Sequence, residues 1–572
     1  MIEQYTKLRQ PVSELNPSMY RCARTTPRPP FSKRGDCNPD FESLVRVRTT
    51  SPLPFSLETE SVKSLQERMT AGTLTAEALT KAYLARIAMT NADGPAIQAV
   101  RMVNADRALA DAVRLDVQRK QKKLLGPLHG IPVLLDDVID AAGMPTTGGS
   151  IALQQSTPSK SSKIVAKLEA AGAIILGKTN ITELNGVFDS NLPEGYSSLG
   201  GQVLLPSDTD DTPAGSSAGS AAATASGLAA LTIGLETSTD TAQIIAPAGV
   251  AGVVGLKPTV GLVSRTGVLP AAKSQDSPGP ITRTVYDAAV ALGVIAGPDP
   301  EDSATSGAPT SPDYLSGLLS TALSGKRVAV ISSNTAPYPT AVTAIQQLGA
   351  TAVVKSVGTP SPNPPSIVMS EFKRDLNAYL SRRTRGAKSL QEIITYNNVN
   401  PIEGLKYQQR DLISAQAVNL SDPTTKAAYE SDKVTGLASN RALIDTILNN
   451  GTPSDTSDDF YVIMAPSGNA LVGIADRAGY PVLTVPAGFG TGGAGRNPIG
   501  VTFVGSAFSE AKLLAAGYAF EQATNVRLTP GLFAASLPNP PSVTNPSMWR
   551  CVPGSTFFLP HHCHPGDLLA SP

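Results

Sequence analysis

Gly130-Ile131-Pro132-Val133-Leu134-Leu135 is followed in the chain by Ile164, Val165 and Leu168 at helical spacing, then Gly172, then Ala173-Ile174-Ile175-Leu176. The first run is apolar and bounded by turn residues, the pattern of a strand buried on both faces. Ile164, Val165 and Leu168 mark one face of a helix that Gly172 ends, and 173–176 is a second strand. Strand, helix and strand at this pitch predict a largely parallel sheet with helices on both faces. The alternation recurs at 328–331, 340–348 and 351–354, and 461–464, 482–485 and 499–504 read as further strands. Upstream, Thr75 can cap a helix in which Leu79, Tyr83 and Ile87 share one face and Glu77 favours the N-terminal end. Leu109, Val113 and Val117 repeat that spacing in a second helix.

The bulk numbers bound the rest. A chain of 572 residues can hold one large core or about two to four ordinary domains. Lys plus Arg equals Asp plus Glu at 47 each, so no basic excess points to nucleic acid or an anionic membrane. The longest low-polarity stretch, 221–235, is mostly Ala, Ser, Thr and Gly, and none reaches the roughly twenty apolar residues of a membrane helix. Cys22, Cys37, Cys551 and Cys563 all lie in the terminal segments, so the core needs no disulfide, and with no signal-peptide pattern a cytoplasmic location is the expectation. Residues 1–58, rich in Pro, Arg, Ser and Thr without periodicity, read as a poorly ordered arm. Residues 59–535 read as a single domain, with 300–460 its variable substrate-side region, and 536–572 as an irregular tail. His561-His562-Cys563-His564 in that tail is too compressed for a tetrahedral zinc site, so no metal and no cofactor is expected.

Chemistry concentrates at Pro213-Ala214-Gly215-Ser216-Ser217-Ala218-Gly219-Ser220-Ala221, which opens an Ala-rich helix. Small residues there let a backbone approach a reacting group, and Ser216 and Ser217 place hydroxyls at a helix N-terminus, where negative charge is favoured. A Gly/Ser turn capping a helix is the competing reading. Around it stand, in order, Gly126-Pro127-Leu128-His129-Gly130-Ile131-Pro132-Val133, Gly177-Lys178-Thr179-Asn180, Gly200-Gly201-Gln202, Gly255-Leu256-Lys257-Pro258-Thr259-Val260-Gly261-Leu262, Asp276-Ser277-Pro278-Gly279-Pro280-Ile281 and Gly479-Tyr480-Pro481-Val482. Together they resemble the amidase signature family over about residues 60 to 530. That resemblance implies one three-layer α/β/α domain around a large, twisted, mixed sheet. It also implies amide hydrolysis by a Lys, a Ser in a cis peptide and a nucleophilic Ser, with no histidine in the relay.

The sequence departs from that pattern twice. Where the family's strand continues Leu-Leu-Lys-Asp-Asn, this chain has Leu134-Leu135-Asp136-Asp137-Val138, so the Lys position is Asp136; Lys120, Lys122 and Lys123 precede the strand. Ser216 matches the cis-Ser, with Ser217 beside it. The nucleophile falls on Asp240 when counted from Ser216 and on Gln243 when counted back from Pro247-Ala248. Neither is Ser. The glycine that usually precedes it is replaced by Thr239 or Ala242, and the family's oxyanion hole uses backbone N–H groups of this turn.

Three functions are weighed, and the first is favoured because Ser216, Ser217 and much of the Gly-rich frame are retained. In a repurposed small-molecule enzyme, Asp136 and Asp240 would flank Ser216 as an acid and a base. A residual hydrolase would use Ser216 or Ser217; Gly215, Thr237, Ser238 and Thr239 are the expected substrate-binding residues whichever chemistry holds. A non-catalytic binder or partner protein would keep only the scaffold. The tails resemble those of filamentous-fungal members, some of which belong to secondary-metabolite pathways. In each case a small molecule is the expected ligand, and oligomeric state is unspecified. Arg374, Arg382, Arg383 and Arg385 can meet an acidic substrate or form a solvated helix face.

Overall fold

The computed structural model describes residues 53–91, 95–237, 242–358, 365–490, 497–528 and 530. The four cysteines, the His/Cys tail, and Ser238, Thr239 and Asp240 lie outside them. Thirteen strands occur among the described residues: β1 Val100–Val103, β2 Pro132–Asp136, β3 Ile174–Thr179, β4 Tyr196–Ser197, β5 Gly201–Gln202, β6 Leu231–Glu236, β7 Val254–Lys257, β8 Ser277–Thr282, β9 Arg327–Ile331, β10 Thr351–Lys355, β11 Val462–Pro466, β12 Val482–Phe489 and β13 Pro498–Val504. β4 and β5 form a small hairpin. The other eleven make one sheet in the order β1-β3-β2-β6-β8-β7-β12-β13-β11-β9-β10.

The sheet is mixed. β2 runs parallel to β3 and β6, and β9 parallel to β10 and β11. The β1 edge and the whole centre, from β6 through β8, β7, β12 and β13 to β11, are antiparallel. A largely parallel sheet, the expectation from strand–helix alternation, is therefore corrected. The βαβ units stand to either side, and antiparallel strands join them.

Period-2 side-chain alternation shows why both faces are covered. Val328 and Val330 of β9, with Val462 and Met464 of β11, enter one hydrophobic cluster beside Leu513 and Phe520 of helix Glu510–Thr524. The intervening Ala329, Ile331, Ile463 and Ala465 enter another, with Leu471 and Ile474 of helix Ala470–Ala478. Helix, sheet and helix form the three layers that the resemblance implied.

Local signals mostly produce the elements they predict. Thr75 caps helix Ala76–Thr90 through its side chain, with Leu79, Tyr83 and Ile87 fully buried. Leu109, Val113 and Val117 do lie on a helix, Ala105–Lys120, but its inward face is Ala105, Ala108, Ala112 and Leu115. Val113 and Val117 are nearly half exposed. Small residues allow this helix to pack closely, so apolar spacing alone picks the wrong side. Leu57 and Glu58, expected within the arm, are buried, and Arg86 pairs with Glu58 while donating to the Ser226 carbonyl (2.7 Å). Among the described residues no helix is long and apolar enough to cross a membrane.

Candidate active site

Asp136 is the last residue of β2, and the parallel register sets it opposite Thr179 of β3. Ser217 is the N-cap of helix Ala218–Ala225 and Ser220 lies one turn on, so both hydroxyls fall on the same side of the helix. These elements converge on the Asp136 carboxyl. Ser217 donates to Oδ2 (2.6 Å), while Ser220 and Thr179 donate to Oδ1 (2.9 Å each). Burial pushes the acid up to about 6, against the pull of those three hydroxyls, and Asp137 adds to the rise. The expectation that Asp136 flanks Ser216 is corrected, because its partners are Ser217, Ser220 and Thr179. Ser217 in turn is fully buried and accepts the Leu235 N–H (3.2 Å).

The Gly215–Ser216 peptide bond is cis. A Cβ on Gly215 would stand 2.4 Å from Thr182 Oγ1, which is why this position has none. The Ser216 carbonyl accepts the Thr182 N–H (3.0 Å), while its Oγ is buried with no hydrogen-bond partner among the described residues. The adjoining 183–186 turn carries two further groups of this kind. Neither amide atom of the buried Asn185 side chain is partnered. Glu183 accepts the Ser198 N–H through Oε2 (2.7 Å) and is raised by burial to about 7.

Of the two positions counted for the nucleophile, Asp240 lies outside the described residues, and Gln243 lies beside Ser217. The Gln243 carbonyl accepts the Ser217 N–H (3.0 Å), and its Nε2 donates to the Asn185 carbonyl (2.7 Å). The turn is fastened from below by Glu236 at the end of β6, whose carboxylate accepts the N–H groups of Gln243 and Ile244 (2.5 Å each) and Ile245 (3.1 Å). Burial, with Asp476 nearby, holds Glu236 well above the usual carboxylate range. Thr237 is buried and donates to Asp276 (2.6 Å), so it braces the wall.

Several other sequence candidates have structural roles. His129 is buried; its Nδ1 accepts the Leu125 N–H (3.1 Å) and its Nε2 lies 3.0 Å from the Leu115 carbonyl. Lys120, Lys122 and Lys123 are exposed. Lys178 is buried and lowered by burial to about 8, but its Nζ donates to the Ile139 carbonyl and to Thr146. Arg383 pairs with Asp140 (2.6 Å) and Arg374 with Asp375 (2.8 Å), whereas Arg382 and Arg385 are exposed. Sequence patterning does not single out Thr179, Ser220, Glu183, Asn185 or Glu236, although Thr179 and Ser220 stand inside the family-like motifs.

A buried cluster at the ends of β2 and β6, built on a cis Gly–Ser bond and a helix whose N-cap position is Ser217, defines an amidase-type architecture. The Amidase family profile matches residues 78–514, and the chain belongs to this family. A protein of Arabidopsis thaliana named "Probable amidase" is 33% identical over 507 residues, covering 86% of this chain and 94% of its own. The native peptide amidase of Stenotrophomonas maltophilia superposes with a TM-score of 0.76 at 37% identity, covering 84% of this chain and 100% of that one. An amidase family protein of Bacillus anthracis superposes with a TM-score of 0.77 at 30% identity, covering 86% and 94%.

Proposed function

We propose that in this member of the family the amide-hydrolysing relay is dismantled, and that the site around Ser216 serves non-hydrolytic handling of a small molecule. The observation that carries the reading is where the carboxylates stand. Asp136 ends β2 inside a cage of three hydroxyls, where the resemblance implies an ammonium. Glu236 takes up the Gln243 and Ile244 N–H groups in the turn that should present a nucleophile. Among the described residues no lysine bonds to Ser216, since Lys178 is directed to Ile139 and Thr146. Loss of a nucleophile from a relay that acts as a unit removes about 10⁶ in kcat. The family's ancestral reaction is therefore not expected here, while the unpartnered Ser216 and Asn185 groups leave a ligand something to bind.

The test is ammonia release from a peptide amide and from simple carboxamides, together with labelling by a fluorophosphonate probe located by peptide mass spectrometry. No turnover and no labelled serine are expected. Family-like turnover, or label on Ser216 or Ser217, would falsify the proposal.

A further inference from the structure

The β4–β5 hairpin brings a second set of groups close to Ser216. Thr182 donates its N–H to the Ser216 carbonyl (3.0 Å), and Gly195 donates its N–H to Thr182 Oγ1 (2.8 Å). The next residue, Tyr196, therefore stands on a segment held two hydrogen bonds from the cis-Ser. Opposite it comes the 405–409 loop of the variable region. Arg410 fastens that loop by pairing with Asp189 (2.6 and 2.9 Å), and the Asp411 and Leu412 N–H groups donate to the Phe188 carbonyl. Tyr407 then meets Tyr196 edge-on, with centroids 4.7 Å apart and planes at 74°. Lys406 Nζ lies 4.8 Å from the Tyr196 centroid and 5.1 Å from that of Tyr407.

The two regions differ in charge. Among the described residues Lys406 forms no ion pair, so two rings hold an exposed ammonium in place without neutralising it. Deeper in, the unpartnered atoms include a hydroxyl, Ser216 Oγ, the two atoms of the Asn185 amide and Oε1 of the Glu183 carboxyl, so that end offers donors and acceptors but no cation. Glu194 lies on the same hairpin and accepts from Thr212 (3.0 Å), so its carboxylate opposes an anion from that side.

We infer that the site between Ser216 and Lys406 takes a small amide that also carries a carboxylate, of the N-acyl amino acid class. The uncharged amide lies against Ser216 and Asn185, the carboxylate meets Lys406, and an aromatic or apolar portion packs on Tyr196 and Tyr407. This rests on the proposed binding role of the Ser216 site, and adds which molecules it prefers and what reads them.

The probes are N-benzoylglycine and its neutral counterpart N-benzoylglycinamide, titrated calorimetrically into the full chain. At low salt the carboxylate should bind about threefold to fivefold tighter, the range of one exposed ion pair, and the preference should shrink as salt rises. Lys406→Gln should abolish the preference without weakening the amide, and Tyr407→Ala should weaken both ligands. Equal affinities in the wild type, or a preference that survives Lys406→Gln, overturn the inference while leaving the ligand-binding reading of the Ser216 site intact. Failure of both probes to bind overturns that reading as well.

Discussion

Replacing Asp136 with Asn should stabilise the protein at neutral pH and not at pH 4. The carboxyl is fully buried, and its folded value of about 6 lies above the ordinary 3.8. The folded state therefore holds a proton that the unfolded state releases between these values. A raised carboxyl contributes no penalty below about pH 4, and an increasing one as pH rises through the folded value. At 1.36 kcal/mol per pH unit, the gap costs about 3 kcal/mol above pH 7. Asn has nearly the same shape, keeps one acceptor for Thr179 and Ser220, and can donate to Ser217, so the hydroxyl cage persists. Unfolding entropy near 2.1 cal/mol/K per residue over the folded body amounts to ~1 kcal/mol/K, so the Tm gain near pH 7.5 should be about 3 °C. The assay is thermal unfolding of both proteins from pH 4 to pH 8. Buried acids remote from Asp136 titrate alike in the two proteins, so the difference reports on this carboxyl and its immediate neighbours. A difference that stays flat with pH would refute the reasoning.

Three further outcomes follow from packing. Gly219→Ala places a Cβ 2.3 Å from the Asn180 carbonyl oxygen and 2.5 Å from that of Ala99, so backbone must shift; a loss of about 3 kcal/mol or more is expected in denaturant unfolding. Arg86→Met leaves the Glu58 carboxylate buried without its partner, and should cost about 3–5 kcal/mol and expose the 53–58 segment to protease. On helix Ala105–Lys120, Leu115→Ala should cost about 2–5 kcal/mol and Val117→Ala less than about 0.5 kcal/mol, measured the same way; the reverse order would return the helix to the face its valines suggest.

The outer parts of the sheet were legible because β2, β3, β9 and β10 are apolar runs flanked by glycine or proline and separated by helices. Its middle was not. β8 reads Ser277-Pro278-Gly279-Pro280-Ile281-Thr282, and prolines ordinarily argue against an interior strand, yet it lies between β6 and β7. Gly279 is needed there, since a Cβ would stand 2.0 Å from the Leu256 carbonyl oxygen of the adjacent strand. Much the same holds for the site. That Asp136 ends a buried strand follows from its neighbours, but Thr179, Ser217 and Ser220 reach it from 43, 81 and 84 residues away. No local pattern tells which of two adjacent serines a carboxyl will meet, and here strand register and helix phase chose Ser217.

The strand order has a consequence for how the protein is made. Every sheet strand before residue 300 lies on one side of the β7–β12 boundary and every later one on the other, so sheet bonding across the molecule runs through that single seam, with Val482 against Lys257 and Thr484 against Gly255. On the ribosome, the leading half must keep its β7 border bare until more than two hundred further residues have been synthesised. The same geometry makes the chain a natural candidate for splitting in the 308–326 connection, where two separately expressed pieces could find each other along one border.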